Sequence, residues 1–307
     1  MIENIYKPPR VLRNFSRIIV PKARWLSRYF LPFCWNLGFK NVVRILKRCV
    51  CVGTTGIFLS GCWPWSRDEE VVCADQAGIR HLGLIMDGNR RWARQRGLHP
   101  WEGHRAGAKS LERAVQFCLD THIPYLTVYA FSIENFKRSD EELNYLFGIL
   151  AHEISVQNLE QLREKKVRLK IIGDRSLFPA SLVDLIEHAQ KFTADGNALQ
   201  FNILFCYGGR QEIISGVKNV IHKIKNGELS EQELTDEVFS RCLWSADIPE
   251  PDVVVRTGGE KRLSNFLLYS LAYSELYFLD CHWPEVTEKH LQQIVEDFKV
   301  RKRNFGK

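Results

Sequence analysis

The sequence lacks the short motifs that mark most nucleotide-binding and redox proteins. Neither GxGxxG nor GxxxxGK[ST] occurs, which excludes the common glycine-rich nucleotide loops. No CxxC occurs among the nine cysteines, and an odd number of cysteines in a chain of 307 residues does not indicate a disulfide framework. We therefore expect reduced thiols, as in a cytosolic protein.

Excess positive charge is absent from most of the chain. Residues 1–50 have a net charge of +10, residues 51–80 of −2, and residues 81–307 of −1. A nucleic-acid-binding protein is usually basic over its folded domain, so we expect no nucleic-acid partner. The charge boundary predicts two regions, a basic and aromatic-rich N-terminal extension over residues 1–80 and a catalytic domain over residues 81–307.

The extension has three interpretations that the sequence leaves open. Its mixture of Arg and Lys with Trp, Phe, Leu and Ile is typical of a helix on an anionic membrane surface. The same composition suits an organellar transit peptide, and the third interpretation is a misassigned start with little structure. Residues 49–66 carry no charge, but their three glycines and Pro64 argue against a spanning helix. We expect a cytoplasmic protein peripherally associated with the membrane.

From residue 81 onward, apolar β-rich runs alternate with segments of helical period. Strands are predicted over residues 81–86, 125–131, 167–173, 199–206, 252–256 and 275–279. Helices are predicted over residues 103–120, 140–163, 182–193, 210–225 and 287–300. This alternation predicts an α/β fold with a parallel six-stranded sheet flanked by helices, in which ligands bind beyond the carboxyl ends of the strands.

Charged and glycine-containing stretches follow several of these strands. The first strand is followed by Asp87-Gly88 and a group of arginines, the second by FSIENFKR (131–138), and the fifth by RTGGEKRLSNF (256–266). Glycine turns and arginines bind phosphate, and Mg²⁺ is typically held by one or two carboxylates together with phosphate oxygens. Glu275, at the sixth strand, is expected to join this edge. The pattern predicts a site for a diphosphate and its metal ion.

Several long motifs resemble those of the cis-prenyltransferases, most of all the bacterial undecaprenyl diphosphate synthases. They are HLGLIMDGNRRWA, GHRAGAKS, LTVYAFSIENFKR, RLKIIGD, YGGRQEI, DVVVRTGGEKRLSNFLL and AYSELYF, and the similarity as a whole covers residues 80–306. The resemblance implies a homodimeric enzyme that adds isopentenyl diphosphate repeatedly to an allylic starter, usually farnesyl diphosphate. Its product is a long-chain cis-polyprenyl diphosphate such as undecaprenyl diphosphate. The DDxxD motif of the trans-prenyl synthases is absent.

The resemblance also implies roles for individual residues. Asp87 is the essential carboxylate for diphosphate and Mg²⁺, Glu275 is the second metal ligand, and Asn135 is the proposed proton acceptor. The isopentenyl diphosphate is held by Arg256, Arg262, Leu263 and Ser264. The allylic substrate is held by Gly88, Asn89, Arg90, Arg91, Trp92, His104, Ser132, Ile133, Glu134, Phe136 and Arg138.

The sequence departs from the family pattern at Pro100, where many relatives have an arginine that contacts phosphate. This departure leaves the strength of starter binding open. The resemblance also places Leu199 at the closed end of an apolar tunnel for the growing chain, whereas the alternative is that Leu199 is an ordinary core residue. The alternative function is that of a non-catalytic stabilising subunit in a heteromeric cis-prenyltransferase. Such a subunit is expected to lose the Asp-Gly-Asn turn and the arginine clamp, and both are present here.

Overall fold

A computed structural model of the chain describes residues 78–301. The predictions for the N-terminal extension therefore lie outside the described residues, apart from its last three positions. In the part of the chain that the structure describes, no helix is long and apolar enough to cross a membrane.

The domain is built on one sheet of six parallel strands, as predicted. The strand order is β3-β4-β2-β1-β5-β6, so β1 lies at the centre between β2 and β5. The strands are β1 (His81–Ile85), β2 (Tyr125–Ser132), β3 (Val167–Ile172), β4 (Leu199–Tyr207), β5 (Val253–Arg256) and β6 (Glu275–Phe278).

Helices connect the strands, and six of the eight helices between residues 78 and 301 overlap predicted segments. The helices are α1 (Asn89–Gln95), α2 (Pro100–Asp120), α3 (Asp140–Glu153), α4 (Val156–Glu164), α5 (Ala180–Phe192), α6 (Gly209–Lys225), α7 (Asp236–Ser240) and α8 (Glu288–Val300).

The prediction of one continuous helix over residues 140–163 is wrong. The chain leaves helical geometry at Ile154 and Ser155, and Ser155 has the extended backbone of an N-cap at the start of α4. The buried side chains of Leu150 and Leu159 lie on either side of this break. An apolar period continues across the break, which is why the sequence pattern alone did not reveal it.

Apolar side chains cover both faces of the sheet. Along β1, Leu82 and Leu84 belong to the larger core, whereas Ile85 belongs to a smaller core on the other face. Alternate residues of a strand point to opposite faces, so a sheet covered on both sides has strands that are apolar throughout. The carboxyl ends of the strands consequently extend from a mostly buried base.

A buried polar row crosses the centre of the sheet. His81 Nε2 lies 2.7 Å from Thr127 Oγ1, and Asn202 Nδ2 donates to the same hydroxyl at 3.0 Å. Burial lowers the pKa of His81 to about 4, although the Pro249 carbonyl and Asp252 oppose this shift. The imidazole is therefore neutral at neutral pH. Its contacts link β1, β2 and β4 in one register.

Candidate active site

Asp87 lies two residues beyond the end of β1, in a turn that two arginines hold. Its Oδ2 accepts a hydrogen bond from Arg256 Nη2 at 2.9 Å, and its Oδ1 lies 3.2 Å from Arg91 Nη2. Partial burial raises the pKa of Asp87, but the hydrogen bond from Arg256 and the charges of Arg91 and Arg256 outweigh it, so the pKa is below its ordinary value. The carboxylate is therefore ionised at neutral pH.

Gly88 is needed for the shape of this turn. Its φ of 104° lies in the left-handed region, and a Cβ there would lie 2.7 Å from His282 Nδ1. The turn leads directly into α1, whose first residue is Asn89. Any other residue at position 88 would be strained and would also clash, so the glycine is a steric requirement of the loop.

The Arg256 side chain is almost buried and is aimed at the same place from the end of β5. It is 4% exposed, and its Nη1 donates to Ser264 Oγ at 2.7 Å and to the carbonyl oxygen of Arg262. Its Nε has no hydrogen-bond partner. A buried guanidinium with a free donor can still bind an anion.

The arginines that follow Asp87 border a cavity of about 300 Å³. Its walls are rich in positive charge and in polar groups. They consist of Met86, Asp87, Gly88, Asn89, Arg90, Arg91, Arg94, His104 and Arg138. The arginines of this segment thus lie around the same cavity as Asp87, and their role in binding a diphosphate stays a prediction. Arg94 belongs to this cavity, although the family resemblance gave it no role.

Glu142 on α3 organises the outer side of this cavity. Its carboxylate is 2.6 Å from Arg138 Nη1, 3.6 Å from Arg90 Nη1 and 3.8 Å from His104 Nε2. Burial, and then the charge of Arg138, lower the pKa of His104 to about 4, so its ring is neutral at neutral pH. Sequence reasoning missed Glu142, because an acidic residue in the first turn of a helix is ordinary capping chemistry.

A larger cavity of about 480 Å³ begins at Asp87 and Arg256 and extends over one face of the sheet. Its walls come from α2, α3, α4 and the strands β2, β3 and β4, and most of them are apolar. Among the lining residues are Leu111, Val115, Phe131, Leu146, Leu150, Leu162, Leu169, Phe201, Ile203 and Phe205. Near the end of α4 the lining also includes Gln161 and Lys165. The charged mouth thus adjoins a larger chamber with mostly apolar walls.

The expectation that Leu199 closes this chamber is wrong. Leu199 is 1% exposed and belongs to the core, but it is not among the residues that line the cavity. Phe201, two residues further along the same face of β4, lines it instead. The sequence shows which face of a strand is apolar but not at what depth a cavity ends.

The segment after β2 contributes polar groups to the rim. Ser132, Asn135 and Arg138 line the chamber, and the Oδ1 of Asn135 accepts a hydrogen bond from the Ser132 N–H at 3.0 Å. Glu134 instead accepts a hydrogen bond from Asn265 Nδ2 at 2.8 Å. Asn135 therefore lines the chamber, and its side-chain amide oxygen already accepts a hydrogen bond.

Several residues assigned by resemblance lie outside both described cavities. The ring of Trp92 packs under the guanidinium of Arg96 at 4.5 Å, and Leu263 packs on the smaller core. Phe136 packs against Phe131, and Ile133 lies in the same short 3₁₀ turn. Arg262 forms an ion pair with Glu260 and presents its carbonyl oxygen, not its guanidinium, to Arg256. Their roles in substrate binding stay predictions.

The expectation that Glu275 joins the Asp87 edge is wrong. Glu275 opens β6 and pairs in register with Val253, which itself pairs with Leu82 of β1. β1 continues for three residues beyond Leu82, or about 10 Å, before Asp87 follows in the turn after Ile85. Glu275 is instead paired with Arg301. Within one copy of the chain, a single ion cannot reach both carboxylates.

Two further residues that sequence reasoning missed hold the Asp87 turn. The main-chain carbonyl of Asp87 accepts hydrogen bonds from Thr257 Oγ1 at 2.6 Å and from the Trp283 N–H at 3.0 Å. The indole Nε1 of Trp283 donates to the Gly107 carbonyl on α2 at 2.8 Å. No local signal identifies such contacts, because the partners are more than 150 residues apart.

Comparison with known sequences agrees with this geometry. Residues 85–306 match the undecaprenyl diphosphate synthase family. The chain is 42% identical over 268 residues to a tritrans,polycis-undecaprenyl-diphosphate synthase (geranylgeranyl-diphosphate specific) of Methanopyrus kandleri, covering 87% of this chain and 97% of that protein. It is 38% identical over 238 residues to an isoprenyl transferase of Clostridium perfringens, covering 78% and 94%.

Solved structures show the same fold. Lavandulyl diphosphate synthase from Lavandula x intermedia, in complex with dimethylallyl diphosphate, matches with a TM-score of 0.73 at 29% identity, covering 76% of this chain and 100% of that one. A probable undecaprenyl diphosphate synthase from Campylobacter jejuni matches with a TM-score of 0.62 at 32% identity, covering 75% and 99%. The chain belongs to the undecaprenyl diphosphate synthase family of cis-prenyltransferases.

Proposed function

We propose that this protein condenses isopentenyl diphosphate repeatedly onto an allylic diphosphate and releases pyrophosphate at each step. The observation that carries the proposal is the continuity of the two cavities. An arginine-rich mouth of about 300 Å³ shares Asp87, Asn89, His104 and Arg138 with an apolar chamber of about 480 Å³. A diphosphate with a long hydrocarbon tail has this division of polarity.

Unpartnered buried atoms support the binding of a polar ligand at the mouth. The side-chain atoms Asn89 Oδ1, His104 Nε2 and Arg256 Nε are buried without a hydrogen-bond partner. Buried polar atoms in native proteins are normally satisfied, so three that cluster around one cavity point to a bound group. Phosphate oxygens would satisfy Arg256, whereas a donor from water or from the ligand would satisfy Asn89.

Mg²⁺ is proposed as the cofactor because the donor set fits it. Asp87 supplies one ionised carboxylate at the mouth, and Mg²⁺ is commonly bound by one or two carboxylates together with substrate phosphates. When bound, Mg²⁺ would supply positive charge that stabilises a diphosphate leaving group. Asp87 would hold the ion, and Arg91 and Arg256 would add positive charge from the protein.

The described residues can perform the remaining steps. The reaction needs departure of pyrophosphate from the allylic carbon, attack by the isopentenyl double bond, and loss of one proton. Positive groups preorganised where charge develops stabilise the departing pyrophosphate. The apolar chamber excludes water from the tail. The assignment of Asn135 as proton acceptor remains a prediction.

The sequence resemblance and the name of a relative point to different starters. The sequence resemblance predicts farnesyl diphosphate, whereas the name of the Methanopyrus kandleri relative specifies geranylgeranyl diphosphate. The two starters differ by one isoprene unit and place the same diphosphate at the mouth. We propose that the protein accepts both and forms products of about undecaprenyl length. Competition between the two, with each carrying a different label, measures the preference directly.

The deciding experiment uses the purified full-length chain with each starter, labelled isopentenyl diphosphate and Mg²⁺, followed by sizing of the products. A ladder of long products supports the proposal, and its dependence on added Mg²⁺ tests the cofactor. A folded protein that produces none alone, but does so when mixed with a catalytic relative, would indicate the stabilising subunit instead.

We also propose a homodimer that associates with the membrane surface. The motivation for membrane contact is the net charge of +10 within residues 1–50, since basic segments bind anionic lipids. Deletion of residues 1–77 should abolish sedimentation with anionic vesicles while the remaining domain keeps its activity on short starters. Equal sedimentation of both forms would contradict this role. Analytical ultracentrifugation of each form tests the dimer.

A further inference from the structure

We infer that Trp283 and Thr257 are positioning residues that fix the catalytic carboxylate by holding its own main-chain carbonyl. This inference rests on the proposed role of Asp87. Two donors bond that single oxygen, the Thr257 hydroxyl at 2.6 Å and the main-chain N–H of Trp283 at 3.0 Å. A carbonyl oxygen that accepts two hydrogen bonds holds its peptide group in one orientation, so the Asp87 side chain is attached at a fixed position.

Trp283 also connects this carbonyl to helix α2. Its side chain is 1% exposed, and its indole N–H donates to the Gly107 carbonyl at 2.8 Å. A carbonyl in the interior of a helix already accepts a hydrogen bond within the helix, so this second bond is specific to the tertiary structure. Because His104 lies one turn earlier on α2, Trp283 couples the two walls of the diphosphate cavity.

The packing between Trp283 and Gly107 leaves no room for a larger residue at position 107. A Cβ at Gly107 would lie 2.9 Å from Trp283 Cδ1 and 2.5 Å from Asn89 Oδ1. Trp283 also lines the larger cavity beside Asp87. The indole thus fills the space where the Asp87 turn, α1 and α2 meet, and a smaller ring would leave them free to shift.

The turn that carries Trp283 is itself held at both ends. The His282 N–H donates to Glu285 Oε2 at 2.9 Å, and Glu285 Oε1 accepts from Arg96 Nη2 at 3.0 Å. Arg96 follows directly after α1. The segment over residues 282–285 therefore contacts both ends of the stretch from residue 87 to residue 96, through Asp87 at its start and through Arg96 at its end.

The test compares Trp283→Phe with Trp244→Phe. The Trp244→Phe variant also loses one indole hydrogen bond, which Trp244 donates to Ser215 Oγ at 3.0 Å. This bond lies on the other face of the sheet. We expect Trp283→Phe to lower kcat between about tenfold and a hundredfold, because displacements of about 1 Å at reacting groups have such effects. KM for both substrates should change less than kcat. Trp244→Phe should retain the parent kcat.

A second pair keeps the inference testable if Trp283→Phe does not fold. Thr257→Val removes the hydroxyl that bonds the Asp87 carbonyl, and Thr257→Ser restores it. The control is Thr193→Val, since Thr193 is as buried and donates to the Ala189 carbonyl at 2.9 Å. We expect a loss of kcat in Thr257→Val, recovery in Thr257→Ser, and none in Thr193→Val.

The outcomes separate this inference from the proposed function. An inactive parent protein would overturn the proposed function before any variant is compared. An active parent with folded Trp283→Phe and Thr257→Val variants within twofold of its kcat would overturn the positioning role alone. Equal losses in the variants and their controls would also overturn it, because they would reflect general destabilisation.

Discussion

Replacement of Asp87 by alanine tests the site most directly. The carboxylate is ionised, bonds Arg256 at 2.9 Å and Arg91 at 3.2 Å, and lies at the junction of both cavities. If it orients Mg²⁺ on the leaving diphosphate, its loss removes stabilisation that grows in the transition state. A deficit of about 4 kcal/mol corresponds to roughly a thousandfold lower turnover.

The same substitution has a separate and smaller effect on stability. Arg256 is 4% exposed and would keep its bonds to Ser264 and to the Arg262 carbonyl. Loss of one bond to a charged group typically destabilises by about 1–3 kcal/mol. We therefore expect Asp87→Ala to remain folded at room temperature, with a lower melting temperature.

The assay is steady-state turnover across a Mg²⁺ titration, with circular dichroism to confirm folding. Asp247→Ala is the matched control, because Asp247 also forms an ion pair, with Lys170, but its side chain is 78% exposed and lies outside both cavities. The control should keep the parent rate. A folded Asp87→Ala protein within about tenfold of the parent rate would refute the assignment of this turn.

Three further results follow from the packing. Phe201→Ala should lengthen the products by opening the chamber, while Leu199→Ala should lower the melting temperature without changing their length; identical product ladders would contradict this. Gly107→Ala should reduce both activity and stability, because the new Cβ would clash with Asn89 and Trp283. Gly148 has open space around it, so Gly148→Ala should stabilise α3 by about 1 kcal/mol. Thermal melts of the two variants measure both effects. The pKa of His81 is about 4 in the folded chain and lies near its ordinary value of 6.5 in the unfolded chain. The stability of the fold should therefore decrease as the pH drops from 6.5 to 4, by up to roughly 3 kcal/mol from this group. A melting temperature that is constant between pH 7 and 4 would argue against this expectation.

Local composition predicted the sheet well because each strand is rich in apolar residues, although polar side chains such as Arg168, Lys170 and Asn202 interrupt the apolar runs of β3 and β4. The VVV of β5 and the alternation of aliphatic residues in β4 need no tertiary information to be interpreted as buried strands. Helix α1 was missed for the converse reason, since NRRWARQ has only one buried residue, Ala93, and no apolar period. Its helical geometry is imposed by packing against α2, where Gly103 admits the Asn89 carbonyl.

The site divides in the same way. Asp87, Arg91 and Arg256 could be predicted because they follow the ends of adjacent strands. Glu275 was misplaced because the order of residues along β6 decides which edge of the sheet they reach, and Glu275 opens that strand. Trp283 could not be found, since its contacts to the Asp87 turn join segments that are distant in sequence.

The pairing of Asp87 with Arg256 has a consequence for how the chain folds. The two residues are 169 positions apart, and they meet only when β5 is paired with β1. Contacts of such large sequence separation form late and slowly. A partly folded intermediate that lacks β5 therefore has no diphosphate site. Inorganic pyrophosphate with Mg²⁺ should bind only the completed sheet, and by mass action it should slow global unfolding and not merely the opening of one loop.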